Sequence, residues 1–258
     1  MSPPSENPDA SGAWVVTVDE PVWYGRLYVR LIERLPHRIH GVLLLPAPHG
    51  ASLRAFAREA WYRLRFWGLA GFLRGGLRLV NARLSASGDV ARAARAHGIP
   101  VHKLAKLHDI TERLTVNPPR AVLATVTSRV PRDLIEMVPG GWVNTHCGPL
   151  PRYAGMDAPF WCLYHGEPEV TVTLHYMDPD FDCGPIIAQS TLPVEKPYYF
   201  EIVDQLFDEA FALHLAYLES FEPSPRKARP QQLDDRTYFS KPAPVLGREF
   251  RRKGGVFA

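Results

Sequence analysis

The feature that most constrains the fold is an alternation of short apolar runs with longer segments of helical periodicity. The apolar runs, rich in β-branched residues, cover residues 13–18, 40–45, 99–104, 121–127, 142–145 and 171–176. Helical periodicity covers residues 21–35, 52–84, 89–98 and 201–220. Strands that alternate with helices pair in parallel, and the helices cover both faces of the sheet. The sequence therefore predicts an α/β fold: a Rossmann-like, mostly parallel sheet with helices on both faces and a short C-terminal helical or irregular extension.

Three segments are expected along the chain. Residues 1–12 are polar, contain three prolines and lack an apolar stretch, which indicates a disordered N-terminal lead rather than a signal peptide. Residues 13–190 hold the alternating pattern and form the predicted main domain. Residues 191–258 contain one amphipathic helix and a tail rich in Pro, Arg and Lys, which we expect to pack on that domain.

Composition narrows the class of protein. A chain of 258 residues with 46% hydrophobic residues can bury a sizeable core, and its net charge of +3 is too small to indicate a nucleic-acid partner. Three cysteines in so long a chain favour a reducing compartment, and we expect a cytoplasmic location. No run of 18 apolar residues exists, so no transmembrane segment is expected. The His and Cys spacings fit no usual metal-ligand pattern, and no metal is expected.

An amide and an imidazole are predicted to project together from the end of one strand. Asn144 and His146 lie two residues apart in an extended segment, so their side chains point to the same side. Gly148, Pro149 and Pro151 then end the strand. In parallel sheets, ligands bind beyond the carboxyl ends of the strands, which is where this pair falls.

A second polar segment follows a later strand. Asp178, Asp180 and Asp182 lie within five residues and precede a Gly-Pro turn. Three carboxylates so close together cannot all be buried as charged groups, because desolvation is costly. We expect one of them to lie against His146.

Together the two stretches resemble the folate-dependent formyltransferase family. That family carries Asn-x-His before a Leu-Pro turn and, about 38 residues later, a loop of the form Asp-x-x-x-Asp-x-Gly-Pro. Asn144, His146 and Asp182 match its catalytic positions, and the resemblance is strongest over residues 143–189. It implies that residues 13–190 form a formyltransferase catalytic domain with 10-formyltetrahydrofolate as co-substrate.

The resemblance also implies where the folate lies. Its pterin would occupy a crevice between the loop after one strand and the acidic segment. The implied cofactor-binding residues are Thr127, Ser128, Arg129, Val130, Asp178 and Asp180.

The chemistry of formyl transfer fits these residue types. An amine that attacks the formyl carbon produces a tetrahedral oxyanion. The Asn144 amide and a protonated His146 can donate hydrogen bonds to that oxygen, and one such donor contributes about 10²–10³ in rate. Asp182 would favour the imidazolium and fix its orientation. His146 or Asp182 could take a proton from the attacking amine.

The acceptor is inferred by elimination. The initiator-tRNA enzymes of the family carry a sizeable C-terminal barrel domain, and only about 70 residues follow Gln189 here. The first strand is followed by Asp19, Glu20 and Pro21 instead of a phosphate-binding glycine loop, which disfavours a glycinamide-ribonucleotide enzyme. A small-molecule amine is therefore expected, such as an amino sugar nucleotide or a natural-product or glycolipid precursor. A 10-formyltetrahydrofolate hydrolase and a non-catalytic folate- or nucleotide-binding module stay open as alternatives.

Residues 56–84 present an apolar stripe with two interpretations. Phe66, Leu69, Leu73, Leu77, Val80 and Leu84 recur at three- and four-residue steps. The favoured interpretation is a helix that faces the core and carries solvated arginines. The alternative is an amphipathic surface that contacts a membrane, a lipid-linked substrate or a phosphate. Several glycines from Gly68 onward predict that the helix is interrupted. A homodimer is one assembly that the sequence leaves open.

Overall fold

The computed structural model describes residues 12–46, 52–126, 128–220 and 228–257. The described strands are β1 (Ala13–Val18), β2 (Ile39–Leu45), β3 (Val101–Lys103), β4 (Ala121–Ala124), β5 (Trp142–His146), β6 (Ala154–Gly155), β7 (Glu169–Tyr176), β8 (Ile186–Pro193) and β9 (Tyr238–Phe239). The described helices are α1 (Tyr24–Arg34), α2 (Leu53–Ser85), α3 (Val90–Ala96), α4 (Thr111–Val116), α5 (Arg132–Glu136), α6 (Ala158–His165), α7 (Tyr199–Glu219) and α8 (Pro244–Arg252). The predicted N-terminal lead lies outside these residues, apart from Gly12.

Seven of these strands form one mixed sheet in the order β3-β2-β1-β4-β5-β7-β8. The first five of them pair in parallel, whereas β7 runs antiparallel to β5 and β8 antiparallel to β7. This arrangement confirms the predicted α/β class with a mostly parallel sheet. β8 was not predicted from the sequence, because its mixture of apolar and polar residues carries only a weak pattern. It extends to Pro193 and so crosses residue 190, where the main domain was expected to end.

Two apolar clusters cover opposite faces of the sheet, because successive side chains of a strand point to opposite sides. Val15 and Leu123 pack into the cluster under α1, α3 and α7, and their neighbours Val16 and Val122 into the cluster under α4 and α5. β4 is buried along its whole length. Strands buried on both faces are continuous apolar runs, which is why the central strands could be predicted.

Two carboxylates bind backbone N–H groups at the starts of α1 and α3. Glu20 accepts hydrogen bonds from the backbone N–H groups of Val22, Trp23 and Tyr24 at 2.9 Å each, just before α1. Asp89 accepts from Arg92 N–H at 2.9 Å and caps α3. Such carboxylates satisfy N–H groups that lack a helical partner and favour the positive end of the helix dipole.

The longest helix, α2, corrects the favoured interpretation of residues 56–84. Gly68 has φ +75° and ψ 177° and interrupts the helix, as the glycines predicted. Phe66 is buried against Phe160 and Phe257, but the stripe residues after the interruption, from Leu69 to Leu84, are exposed to solvent. The prediction that the stripe faces the core is therefore wrong for residues 69–84. Periodicity identifies an apolar face but cannot say which face of the helix meets the body.

The C-terminal segment returns to the body of the protein. β9 pairs in parallel with β6, and α8 packs against α2, where Gly247 lies against the backbone of Phe66. Gln231 donates from Nε2 to the carbonyl oxygens of Asp182 and Gly184, at 2.9 and 2.6 Å. The tail thus supports the loop that carries Asp182. Within the described ranges, no helix combines the length and the apolar character needed to cross a membrane.

Candidate active site

The three side chains predicted to be catalytic meet at one end of the sheet. Asn144 and His146 lie on β5, and Asp182 lies in the turn between β7 and β8. In the antiparallel register of β5 and β7, Asn144 stands opposite His175. The structure therefore brings a fourth polar side chain to the predicted trio.

The Asp182 carboxylate lies between two imidazole rings. Its Oδ2 is 3.6 Å from His146 Nδ1, and its Oδ1 is 3.7 Å from His175 Nε2. Oδ2 also accepts a hydrogen bond of 2.8 Å from the backbone N–H of Gly155. Asp182 has φ +55°, in the left-handed region, so the turn itself directs this carboxylate toward β5.

His175 is a neutral ring that orients Asn144. Burial lowers the pKa of His175 to about 4, although the negative charge of Asp182 opposes the change. Its Nδ1 lies 2.8 Å from the carbonyl oxygen of Tyr176, and its Nε2 lies 3.3 Å from Asn144 Nδ2. A neutral ring with its proton on Nδ1 satisfies both contacts, because it donates to Tyr176 and accepts from Asn144. The Asn144 NH₂ group keeps a second hydrogen for another acceptor.

His146 has protein partners at both ring nitrogens. Nε2 lies 2.7 Å from the carbonyl oxygen of Tyr153, to which it can donate, and Nδ1 faces Asp182. The ring fits here because residue 148 is glycine: a Cβ at Gly148 would lie 2.6 Å from His146 Nε2. In this arrangement, the donor available for a substrate oxygen is Asn144, and His146 is paired with Asp182. This differs from the expectation that both Asn144 and His146 donate to that oxygen.

A crevice of about 400 Å³ opens beside these residues. The predicted cofactor-binding residues that line it are Ser128, Arg129, Val130, Asp178 and Asp180, together with Asn144, His146 and Asp182. Thr127, the remaining predicted residue, lies outside the described residues. The volume is within the range of small-molecule sites, which is about 300–1,000 Å³.

The two outer carboxylates belong to the wall of the crevice. Asp178 accepts from the N–H of Asp180 at 3.1 Å, an arrangement typical of a turn. Arg129 Nη2 lies 3.5 Å from Asp180, and its guanidinium lies 5.2 Å from the centre of the Phe181 ring. Both members of this ion pair are exposed, so the contact joins the two loops only weakly.

Tyr24, Met156, Phe181 and Tyr238 are among the lining residues that were not predicted from the sequence. Tyr24 begins α1 and Tyr238 belongs to β9, so each is far from the motif along the chain. No local pattern marks such residues, because only the packing of distant segments places them at the crevice. Met156, Phe181 and Tyr238 have one structural feature in common: each is a large apolar or aromatic side chain that is exposed to solvent.

Cavity size alone would not select this site. A cavity of about 530 Å³ lies between β8 and α7, and another of about 570 Å³ lies beside Asp19 and Arg83. Neither is lined by Asn144, His146 or Asp182. Among the described residues, no group of three or more His, Cys, Asp or Glu side chains is arranged to hold a metal ion.

A half-buried carboxylate follows Met156, which lines the crevice. Asp157 precedes α6 with φ +58° and accepts a 2.7 Å hydrogen bond from the Tyr199 hydroxyl. Burial raises the pKa of Asp157 to about 6, although the Tyr199 hydrogen bond acts in the opposite direction. Burial, followed by the nearby Asp157 charge, also raises the pKa of the Cys147 thiol to about 12.

We expect Asp157→Asn to stabilise the protein at neutral pH. Because the pKa of Asp157 is higher in the folded than in the unfolded state, its contribution to stability is full below about pH 4 and is lost as pH rises through about 6. A pKa difference of this size corresponds to about 1–3 kcal/mol in the free energy of unfolding. The asparagine oxygen can still accept from Tyr199.

Urea unfolding at pH 4.5 and pH 8 measures this effect. The variant should exceed the wild type in free energy of unfolding at pH 8, and the difference should shrink at pH 4.5. An equal difference at the two pH values would contradict the assignment of the titration to Asp157. Glu33→Gln, at an exposed carboxylate on α1, is the control and should leave the pH dependence as in the wild type.

Comparison with known proteins matches this site to one family. The sequence model of the formyl transferase family matches residues 82–210, which is half of the chain. A methionyl-tRNA formyltransferase of Trichlorobacter lovleyi is 35% identical over 108 residues, covering 41% of this chain and 34% of that protein. The chain spans between about a third and a half of the length of the curated relatives that it matches.

Two solved structures share the fold. The glycinamide ribonucleotide transformylase 1 of Symbiobacterium toebii superposes with a TM-score of 0.58 at 14% identity, covering 86% of this chain and 95% of that chain. An N-formyltransferase of Helicobacter canadensis, solved with folinic acid and dTDP-3-aminofucose, gives a TM-score of 0.56 at 15% identity and covers 88% and 70%. The matched family residues include Asn144, His146 and Asp182, and the fold is that of formyl-transferring enzymes. The chain therefore belongs to the formyl transferase family.

Proposed function

We propose that this protein transfers a formyl group from 10-formyltetrahydrofolate to an amine, with Asn144, His146 and Asp182 as catalytic residues. The observation that carries the proposal is the convergence of these side chains at a crevice of about 400 Å³. The amine nitrogen attacks the formyl carbon, and the bond from that carbon to N10 of the folate then breaks. The acceptor loses one proton and N10 gains one, so the transfer needs no oxidant or reductant.

Asn144 is proposed to bind the developing oxyanion. Its amide nitrogen gives one hydrogen to His175 and keeps the other for the substrate. An oriented donor of this kind needs no reorganisation when charge develops on the oxygen. His175 is therefore a positioning residue, because it acts through Asn144.

His146 and Asp182 are proposed to move the proton. His146 Nδ1 faces the carboxylate at 3.6 Å, so a proton taken by the imidazole lies next to a negative charge. The pair can then return a proton to N10 as the tetrahydrofolate leaves. The pterin is proposed to lie between the segment Ser128, Arg129, Val130 and the loop with Asp178 and Asp180, which line the same crevice.

For the acceptor, we propose a small-molecule amine, with an amino sugar nucleotide as the first class to test. The support is the fold shared with the Helicobacter canadensis enzyme, which was solved with dTDP-3-aminofucose. The curated relatives are methionyl-tRNA formyltransferases. Methionyl-tRNA therefore belongs in the same panel.

Mass spectrometry of a panel of amines tests the proposal. The panel holds amino sugar nucleotides, amine-bearing lipid precursors and methionyl-tRNA, each with and without 10-formyltetrahydrofolate. We expect a gain of one formyl group in one class only, and only with the folate present. Fast formate release without any acceptor would instead identify a hydrolase. Tight folate binding with neither transfer nor hydrolysis would identify a binding module.

A further inference from the structure

The outward face of α2 carries a continuous apolar stripe. The stripe comprises Leu69, Leu73, Leu77, Val80 and Leu84, whose exposed fractions lie between 51% and 82%. Steps of four, four, three and four residues place them within an arc of roughly 80° at about 100° per residue. Scattered exposed leucines are normal, but five on one arc form a patch that indicates an interaction site.

The opposite face of the same helix is fixed to the body. Gly71 packs against Phe257, and Ala82 is buried. Arg78, on the same face, forms an ion pair with Asp204, and Arg83, which lies beside the stripe, binds Asp19 through two hydrogen bonds of 2.9 and 2.8 Å. Since these contacts set the rotation of the helix, the stripe cannot turn inward without breaking them.

The half of α2 before Gly68 exposes apolar and cationic side chains together. Leu53, Phe56 and Trp61 are all more than half exposed. Arg54, Arg58 and Arg65 are exposed on the same half, and the Arg65 guanidinium lies 5.7 Å from the centre of the Trp61 ring. Exposed Leu, Phe and Trp beside arginine are typical of helices that lie in the interface of a membrane.

Charge distinguishes the occupants that this face could have. α2 contains seven arginines and one glutamate, whereas the whole chain has a net charge of only +3. The one glutamate, Glu59, is already bound to Arg63 and Lys241. A second copy packed on the half before Gly68 would bring the exposed Arg54, Arg58 and Arg65 against the same arginines, which is unfavourable. A nucleic acid would satisfy the arginines but would leave the leucine stripe in water.

We propose that α2 binds the surface of membranes that contain anionic phospholipid. The exposed arginines contact lipid phosphates, and the stripe with Leu53, Phe56 and Trp61 enters the boundary between headgroups and acyl chains. α2 is joined to the wall of the crevice, because the Tyr62 hydroxyl donates to the Pro242 carbonyl at 2.8 Å and Tyr238 of the same segment lines the crevice. α2 therefore contacts the segment that supplies part of this wall.

Co-sedimentation of the full chain with vesicles tests the proposal. One vesicle set contains phosphatidylcholine alone, and the other contains about 30% phosphatidylglycerol. We expect binding to the anionic vesicles that weakens but persists as salt rises from 0.1 to 0.5 M, because burial of the stripe is not screened. Leu73→Glu/Leu77→Glu should weaken binding about 10-fold or more. Val116→Glu/Leu233→Glu, at exposed apolar residues outside α2, should leave it unchanged.

Three results would overturn the proposal. The first is a lack of binding to anionic vesicles at low salt. The second is binding that the Leu73→Glu/Leu77→Glu variant retains in full, which would indicate charge attraction alone. The third is a dimer, seen by analytical ultracentrifugation, that this variant dissociates; the stripe would then be an interface between copies. Circular dichroism verifies that both double variants are folded. If Leu73→Glu/Leu77→Glu is unfolded, Leu73→Ser/Leu77→Ser takes its place in the vesicle experiment.

Discussion

His146→Gln is expected to lower kcat/KM for formyl transfer by about 10²–10⁴-fold, the usual contribution of a positioned acid–base group. Glutamine can still donate to the Tyr153 carbonyl, which His146 Nε2 contacts at 2.7 Å. It cannot take a proton at the nitrogen that faces Asp182. The change therefore removes the proton-transfer function while a buried hydrogen bond can be kept.

Steady-state kinetics with the acceptor identified by mass spectrometry measure this effect. Folate binding, followed by fluorescence, should change little, because His146 is not assigned to pterin binding. In Asn144→Ala, kcat/KM should fall by about 10²–10³-fold, because the donor to the oxyanion is missing. His102→Gln, in β3 at the far edge of the sheet, is the control and should keep wild-type turnover. Turnover near the wild-type rate in His146→Gln would remove His146 from the proposed mechanism.

Gly184→Ala is expected to lower the free energy of unfolding by about 2–4 kcal/mol, as overpacking against rigid backbone does. A Cβ at this position would lie 1.9 Å from the carbonyl oxygen of Tyr176. Tyr176 is the last residue of β7, and Asp182 lies two residues before Gly184. The strain can be relieved only if the turn moves, and the turn carries the Asp182 carboxylate. Formyl transfer should therefore fall as well, even under conditions in which the variant stays folded.

Urea unfolding measures the loss of stability, and the slope with denaturant shows whether unfolding stays two-state. Gly76→Ala is the matched control, since a Cβ at Gly76 has no atom within 4 Å. In the middle of a helix that change should be neutral or stabilise by about 0.5–1 kcal/mol. If Gly184→Ala and the wild type have equal free energies of unfolding, the turn between β7 and β8 can move without loss of stability, which would contradict this prediction.

The sequence by itself determined the class of fold and the proposed catalytic motif. The central strands are buried on both faces, so they appear as continuous apolar runs that can be recognised one at a time. Asn144 and His146 lie on one strand, where a spacing of two residues fixes their common side. Asp182 could be placed beside them because its loop has a recognisable composition and spacing.

Only the tertiary structure decided the partners of that motif and the orientation of α2. His175 orients Asn144 because β5 and β7 pair in one particular register, and a register depends on contacts between segments that no local pattern encodes. Tyr24 and Tyr238 reach the crevice from opposite ends of the chain. The apolar stripe of α2 was visible in the sequence, but it faces solvent because Gly71, Ala82 and two arginine–aspartate pairs fix the rotation of the helix against the body. Periodicity defines a face of a helix, whereas competition among all the packing contacts decides which face is buried.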